Sequence, residues 1–169
     1  MDEKTCVIDV SEQIMYCYAN NQLHKSYTVS TGKNGLGELS GSECTPRGKH
    51  RIHRIIGLDK PINSVFVGRE WTGEIYSQHL QSLYPQRDWI LTRILQLDGL
   101  EPGFNRGGNV DSLMRYIYIH GTPDTTKMGV PGSHGCIRMR NDDIIALAMW
   151  VDINTRVDIR ANLHNDKGL

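Results

Sequence analysis

Apolar and polar positions alternate from the first residues of the chain. Residues 5–10 (Thr-Cys-Val-Ile-Asp-Val) and 14–19 (Ile-Met-Tyr-Cys-Tyr-Ala) have the two-residue period and the β-branched and aromatic content of strands. Ser11-Glu12-Gln13 fills the first turn. Asn20-Asn21 suits a two-residue hairpin turn, because asparagine tolerates positive φ. Gln22 to Ser30 is then a third strand. Residues 31–48, rich in Gly, Ser, Thr and Pro, read as a long loop. The pattern predicts extended structure again over 50–56 and 64–67 (Ser-Val-Phe-Val). Residues 88–97 fit two periods: Leu91, Leu95 and Leu97 suit a strand face, whereas Ile90, Leu91, Ile94 and Leu95 suit a helix. Residues 103–108 are a loop.

Residues 116–120 alternate cleanly, with Ile117 and Ile119 on one face and Tyr116, Tyr118 and His120 on the other. The strand predicted here ends on His120. Four glycines and two prolines in 121–135 indicate a shaped loop. Asn141 is the predicted N-cap of a helix, with Asp142 and Asp143 in the first turn to complement its dipole. Ile144, Leu147, Ala148 and Val151 recur at helical spacing and form its core face. Arg156 to Arg160 reads as a closing strand, with Val157 and Ile159 inward. Residues 161–169 are polar and expected to be a flexible tail.

At 169 residues the chain is expected to form one domain, large enough to bury a core without metals or disulfides. Its formal net charge is zero, which argues against nucleic acid or an anionic membrane surface as the main partner. No apolar run reaches the roughly 18 residues of a membrane span. Seventeen glycines point to many turns and a β-rich fold. Cys6, Cys17, Cys44 and Cys136 are spaced without a compact disulfide framework. The first residues enter a strand pattern with no basic and apolar leader, so the expectation is a cytoplasmic protein with reduced thiols.

The candidate chemistry lies in Ile119-His120-Gly121-Thr122 and in Ser133-His134-Gly135-Cys136-Ile137-Arg138-Met139-Arg140-Asn141. Cysteine is a strong nucleophile only as a thiolate, and a nearby imidazole can take its proton. A glycine beside it lets backbone N–H groups approach a developing oxyanion. The amides of His134, Gly135 and Cys136 are the candidate donors, while the side chains of Ser133 and His134 shape the loop or touch substrate. Arg138 offers a guanidinium that can hold a carboxylate in bidentate fashion, with Arg140 and Arg106 as weaker candidates. Tyr118, on the face of His120, either lines the groove or packs. Cys6 and Cys17 belong to strand patterns and read as core residues, Cys44 as an inert loop thiol, and Asp124 as a loop residue.

Two other readings find less in the chain. Gly32-Lys33-Asn34-Gly35-Leu36-Gly37 is not followed by the Gly-Lys-Ser/Thr of a phosphate loop. A metal site made of His120, His134 and Cys136 lacks any Cys-x-x-Cys or His-Glu-x-x-His around it. His50 and His53, three apart on a strand, point to opposite faces and are expected to face solvent. A silent binding module would not need both Cys136 and His120.

The histidine sixteen residues upstream of the cysteine and the Ser-His-Gly-Cys sequence resemble the YkuD-type L,D-transpeptidase family. The resemblance covers Cys6 to about Ile159 and is sharpest from Tyr116 to Asn141. It implies a mainly β fold, a β-sandwich-like catalytic domain with one or two short helices, in which residues 88–97 form a strand. It implies that Cys136 is the nucleophile, that His120 is the base and later proton donor, and that the Gly121 carbonyl orients the imidazole. It implies peptidoglycan peptides as partners: muropeptides and D-amino acids, cut between a diamino acid and D-Ala through a thioester. No cofactor and no metal are called for. A chain inside the cell would meet recycled muropeptides, which favours L,D-carboxypeptidase action over cross-linking.

Overall fold

The structure, a computed structural model, describes residues 2–163. The tail expected over 161–169 therefore lies, from 164 onward, outside the described residues. Ten strands and two α-helices follow in the order β1 (Lys4–Asp9), β2 (Ile14–Ala19), β3 (Gln22–Ser30), β4 (Gly48–Ile56), β5 (Ser64–Val67), β6 (Glu70–Ile75), α1 (Gln78–Leu83), β7 (Leu91–Gly99), β8 (Tyr118–Thr122), β9 (Ile137–Arg140), α2 (Asn141–Trp150) and β10 (Arg156–Arg160). The protein is mainly β and sandwich-like, as the resemblance implied. Asn20 and Asn21 both take positive φ, 51° and 65°, in the turn that joins β2 to β3.

The strands hydrogen-bond in the order β4-β10-β1-β2-β3-β9-β8-β7-β5-β6, and β4 pairs with β7 as well as with β10. The ladder thus returns on itself and leaves β5–β6 as a hairpin attached to β7. Alternate side chains turn inward from each strand: Cys6 and Ile8, Met15 and Cys17, Tyr27 and Val29, Leu95 and Leu97, Ile137 and Met139, Val157 and Ile159. Ile144, Leu147 and Ala148 of α2 join the same cluster, and α2 packs on β7, β8 and β9.

β7 resolves the ambiguity of residues 88–97 as strand, and also explains it. Every residue of β7 is buried, so both faces carry apolar side chains and the two-residue signal disappears. Leu95 and Leu97 meet the main core, while Ile94 packs with Phe66 and Tyr118 on the other face. Hairpin strand β6 and helix α1, capped by Ser77, had no strong pattern and were not anticipated.

One expectation is corrected here. His50 does not face solvent; it is completely buried. The two-residue period that puts Ile52 in the core carries His50 inward with it, while His53 is half-buried on the other side. His50 Nδ1 lies 3.0 Å from the Gly48 carbonyl and Nε2 lies 2.8 Å from Ser112 Oγ, an arrangement suited to the neutral ring. Burial lowers its pKa from 6.5 to about 4. The folded protein therefore resists a proton that the unfolded chain accepts. Stability should be full above the unfolded value and be lost as the pH falls from 6.5 toward 4, by about 3 kcal/mol from this residue. Urea denaturation at pH 7 and pH 4.5 of the wild type and of His50→Gln checks this: the pH-dependent difference between the two proteins should carry that loss.

Candidate active site

β8 and β9 run parallel, with Ile119 opposite Ile137 and His120 opposite Arg138. Paired residues project to the same side of a sheet. Ile119, Ile137 and Met139 enter the core, so Tyr118, His120 and Arg138 stand on the opposite face, and Cys136 sits one step before β9. The amide of Tyr118 donates to Cys136 Sγ at 3.3 Å, and the thiol donates to the Tyr116 carbonyl at 3.4 Å. The strand begins at Tyr118 and runs on to Thr122, not from Tyr116 to His120 as expected. Tyr116 has φ +58°, which breaks the ladder and frees its carbonyl for the thiol.

Cys136 packs against Phe66, Ile94 and Tyr118. Burial pushes its thiol up to about 12; the Tyr118 amide and the positive charges of Arg138 and Arg115 act against this rise. His120 is enclosed, and burial holds its pKa below the ordinary imidazole value. The Gly121 carbonyl and Asp88 favour its charged form, while Arg138 disfavours it. At rest the pair is therefore a neutral thiol and a neutral imidazole. His120 Nδ1 lies 2.6 Å from the Gly121 carbonyl, which fits a proton on Nδ1 and leaves Nε2 as the acceptor.

Gly121 must be glycine. A Cβ there would strike Asn141 Oδ1 and come within 2.6 Å of the Leu91 carbonyl. Asn141 accepts from Thr92 Oγ1 at 2.6 Å and donates to Asn63 Oδ1 at 3.0 Å. It is thus not the N-cap that the sequence suggested. Arg140 occupies that position without a side-chain bond, and Asn141 is the first helical residue, turned inward; Asp142 and Asp143 do lie in the first turn. Its partner Thr92 has φ +75°, unusual for a β-branched residue, where the β7–β8 register shifts between Leu91 and Ile94.

The loop before the nucleophile is braced from residues 31–45. Thr45 Oγ1 accepts from the Gly32 amide and donates to the Gly135 carbonyl, both at 2.8 Å. Gly135 takes φ +121°, and a Cβ there would lie 3.0 Å from the Cys44 carbonyl. Buried Ser133 accepts from the Gly135 amide at 3.1 Å and donates to the Cys136 carbonyl. Of the three expected oxyanion donors, the Gly135 amide is thus engaged. The His134 and Cys136 amides make no hydrogen bond among the described residues. The His134 ring is exposed and lies 3.4 Å from Glu43; with Arg115 and Tyr116 the two line a cleft of about 290 Å³.

Arg138 reaches the site face, but its guanidinium donates to the Gly132 carbonyl at 2.9 Å and to Asp88 at 3.3 Å. Arg106 instead meets Asp98 and Gly99, at the end of β7 away from Leu91 and Gly121, and Arg140 and Asp124 are exposed. Cys6 and Cys17 are core residues as expected. Cys44 is more than a loop thiol, since its backbone supports Gly135.

The sequence reading missed four contributors: Asp88, Arg115, Arg69 and the Thr92–Asn141 pair. Arg115 donates to the carbonyls of Gly37, Glu38 and Cys44 and to Ser42 Oγ. Arg69 Nη1 donates to Tyr118 Oη at 3.2 Å, and its guanidinium lies 4.6 Å from the centre of the Tyr116 ring. Asp88, Arg115, Arg69 and Thr92 come from segments distant from the motif, and among them only the inward-facing polar Thr92 in an apolar run carried a signal; Asn141 ends the motif, but its inward role was not read.

The sequence pattern of the L,D-transpeptidase catalytic domain, YkuD, matches residues 3–159. The chain belongs to the L,D-transpeptidase catalytic domain family. It is 46% identical over 59 residues to the YkuD protein of Bacillus subtilis, a match spanning 34% of this chain and 36% of that one. An L,D-transpeptidase from Mycobacterium smegmatis aligns with a TM-score of 0.56 and 16% identity over 95% of this chain and 59% of its own. Bd1075 of Bdellovibrio bacteriovorus aligns at 0.59 and 16% over 95% and 48%. These structural likenesses speak for the fold, and the chain spans about half the length of the solved proteins.

Within this family fold, Gly121 is where the core and the candidate site touch. Gly121→Ala should destabilise the protein by about 1–3 kcal/mol through overpacking against Asn141 and Leu91. A urea midpoint equal to wild type would contradict the close contact described here.

Proposed function

We propose that the protein is a cysteine acyl-transfer enzyme acting on peptidoglycan stem peptides, and that it removes the terminal D-Ala from tetrapeptide muropeptides by hydrolysis. The observation that carries this reading is the parallel register that sets Cys136 and His120 on one face, with a Tyr118 amide on Sγ. His120 Nε2 takes the thiol proton as Sγ attacks the carbonyl carbon between the diamino acid and D-Ala. The His134 and Cys136 amides are the donors available to the oxyanion. His120 then gives its proton to the leaving amine, and a thioester remains on Cys136. Water, losing a proton to His120, attacks the thioester; the acid product leaves and the thiol is restored. The Gly121 carbonyl steadies the imidazolium in both halves.

Hydrolysis needs no second substrate but water, and the reading includes a cytoplasmic site of action on recycled muropeptides. Cross-linking or D-amino-acid exchange is the second reading, supported by the family's name and by that of the solved relatives. An amine acceptor would then replace water at the same thioester.

Mass spectrometry of products from a disaccharide tetrapeptide, with and without a free D-amino acid, decides between them. Loss of one alanine is expected. Dimers or exchanged D-amino acids as the main products would replace the first reading by the second, and turnover by Cys136→Ala at the wild-type rate would end both. His120→Ala should lower kcat/KM by about 10²–10⁴. The pH profile follows from the shifts above. Neutral His120 is the active form and its pKa is lowered, so activity should persist below pH 6.5 and fall only as the pH drops through the depressed value. The thiol, near 12, imposes no decline on the alkaline side up to pH 9. A half-maximal point above pH 7 on the acid limb would contradict this assignment.

A further inference from the structure

Arg138 and Arg115 act on the Cys136 thiol, Arg69 meets the two tyrosines that contact it, and the partners of the three differ. Arg138, which the sequence favoured for binding a carboxylate, is ion-paired with Asp88 and bonded to the Gly132 carbonyl. Arg115 is bonded to three carbonyls and the Ser42 hydroxyl, and so braces the loop around Cys44. Arg69 meets two tyrosines, and no carboxylate among the described residues lies within ion-pair distance of it.

The position of Arg69 is built. It lies in the turn between β5 and β6, where Gly68 and Arg69 both take positive φ, 57° and 67°. Thr72 Oγ1 ties the hairpin back to the Val65 carbonyl at 3.1 Å. The guanidinium stacks on Tyr116 and donates to Tyr118, the two residues whose backbone contacts Cys136 Sγ. A guanidinium held by an aromatic face and one hydroxyl is pre-organised, keeps its charge and has further donors for an oxyacid. A cation held on the two tyrosines that contact the candidate nucleophile is suited to an anionic group of the bound peptide.

We propose that Arg69 is a specificity-determining residue that binds the terminal carboxylate of the stem peptide, on the D-amino acid that leaves as the Cys136 thioester forms. This rests on the stem-peptide reading above and moves the carboxylate role from Arg138 to Arg69.

Two measurements test it. The first needs no turnover: the rate of Cys136 alkylation by iodoacetate divided by that by iodoacetamide, read by peptide mapping so that the other thiols do not count. The reagents react alike, thiolate displacing iodide, and differ in carrying a carboxylate or a neutral amide. Arg69→Ala should lower the ratio roughly 3–10-fold at low salt, and Arg69→Lys should restore part of it. Dividing the two rates cancels any change in thiol reactivity, so a purely structural role leaves the ratio unmoved. An unchanged ratio overturns the assignment. The second compares the tetrapeptide with its C-terminal amide. Arg69→Ala should raise KM for the acid about 10-fold, with kcat and the amide little affected; equal losses on both substrates overturn it. A tetrapeptide left uncut by the wild type would instead sink the peptidase reading, an outcome separate from the alkylation ratio.

Discussion

Parallel strands cannot be joined by a tight turn; the chain must return to the starting end before the second strand begins. β8 and β9 are such a pair, and residues 123–136 make the return. With His120 opposite Arg138, the last residue of the return is Cys136, level with Tyr118. The long spacing between histidine and cysteine is therefore the length of a crossover. The loop that closes it is also the loop that carries the candidate oxyanion amides. One pairing sets the candidate reacting groups and the backbone around them together. Inserting or deleting a residue within the crossover would leave Cys136 level with Tyr118 while Ile137 keeps its pairing with Ile119, but would reshape the loop that carries those amides.

The opposite wall of the site is fixed by crowding. Gly121 lies against Asn141 and Leu91 so closely that a methyl group does not fit. Asn141 is held in turn by Thr92, whose positive φ is a conformation that β-branched residues avoid. The hydrogen bond from the Thr92 hydroxyl, made in a fully buried setting, offsets part of that strain. The result is a Gly121 carbonyl aimed at His120 Nδ1 by groups from β7, α2 and the loop at Asn63. Packing that on its own would count as core structure thus decides which nitrogen of the histidine is free.

Much of this was legible in the residues. The strands with one buried face, β1 to β3 and β10, announced themselves by alternation, and the Asn20-Asn21 turn by its chemistry. β7 was not, because burial on both faces erases the period. His50 was misread because solvent exposure was assigned by residue type, whereas the neighbouring Ile52 already fixed its face. Asn141 looked like a cap because local sequence cannot show a buried hydroxyl donor waiting 49 residues away at Thr92. The Ser133-to-Asn141 segment carried the resemblance to the family, but Asp88, Arg69 and Arg115 come from segments that only the fold brings near. Charges act through space, and no spacing rule along the chain records them.

The electrostatics of the resting pair bear on how such a site survives. A thiolate is the reactive form toward oxidants and alkylating agents as well as toward carbonyls. In the pocket of Phe66, Ile94 and Tyr118, burial keeps Cys136 protonated and His120 neutral. Charge separation in that pocket costs more than in water, which favours the neutral forms of both groups. Arg138 and Arg115 lower the cost of the thiolate and Asp88 lowers that of the imidazolium, while Asp88 opposes the thiolate and Arg138 the imidazolium. Negative charge on this sulfur is therefore disfavoured in the pocket unless neighbouring groups share it. The desolvation that makes the thiol slow to react alone also protects it from oxidants and alkylating agents.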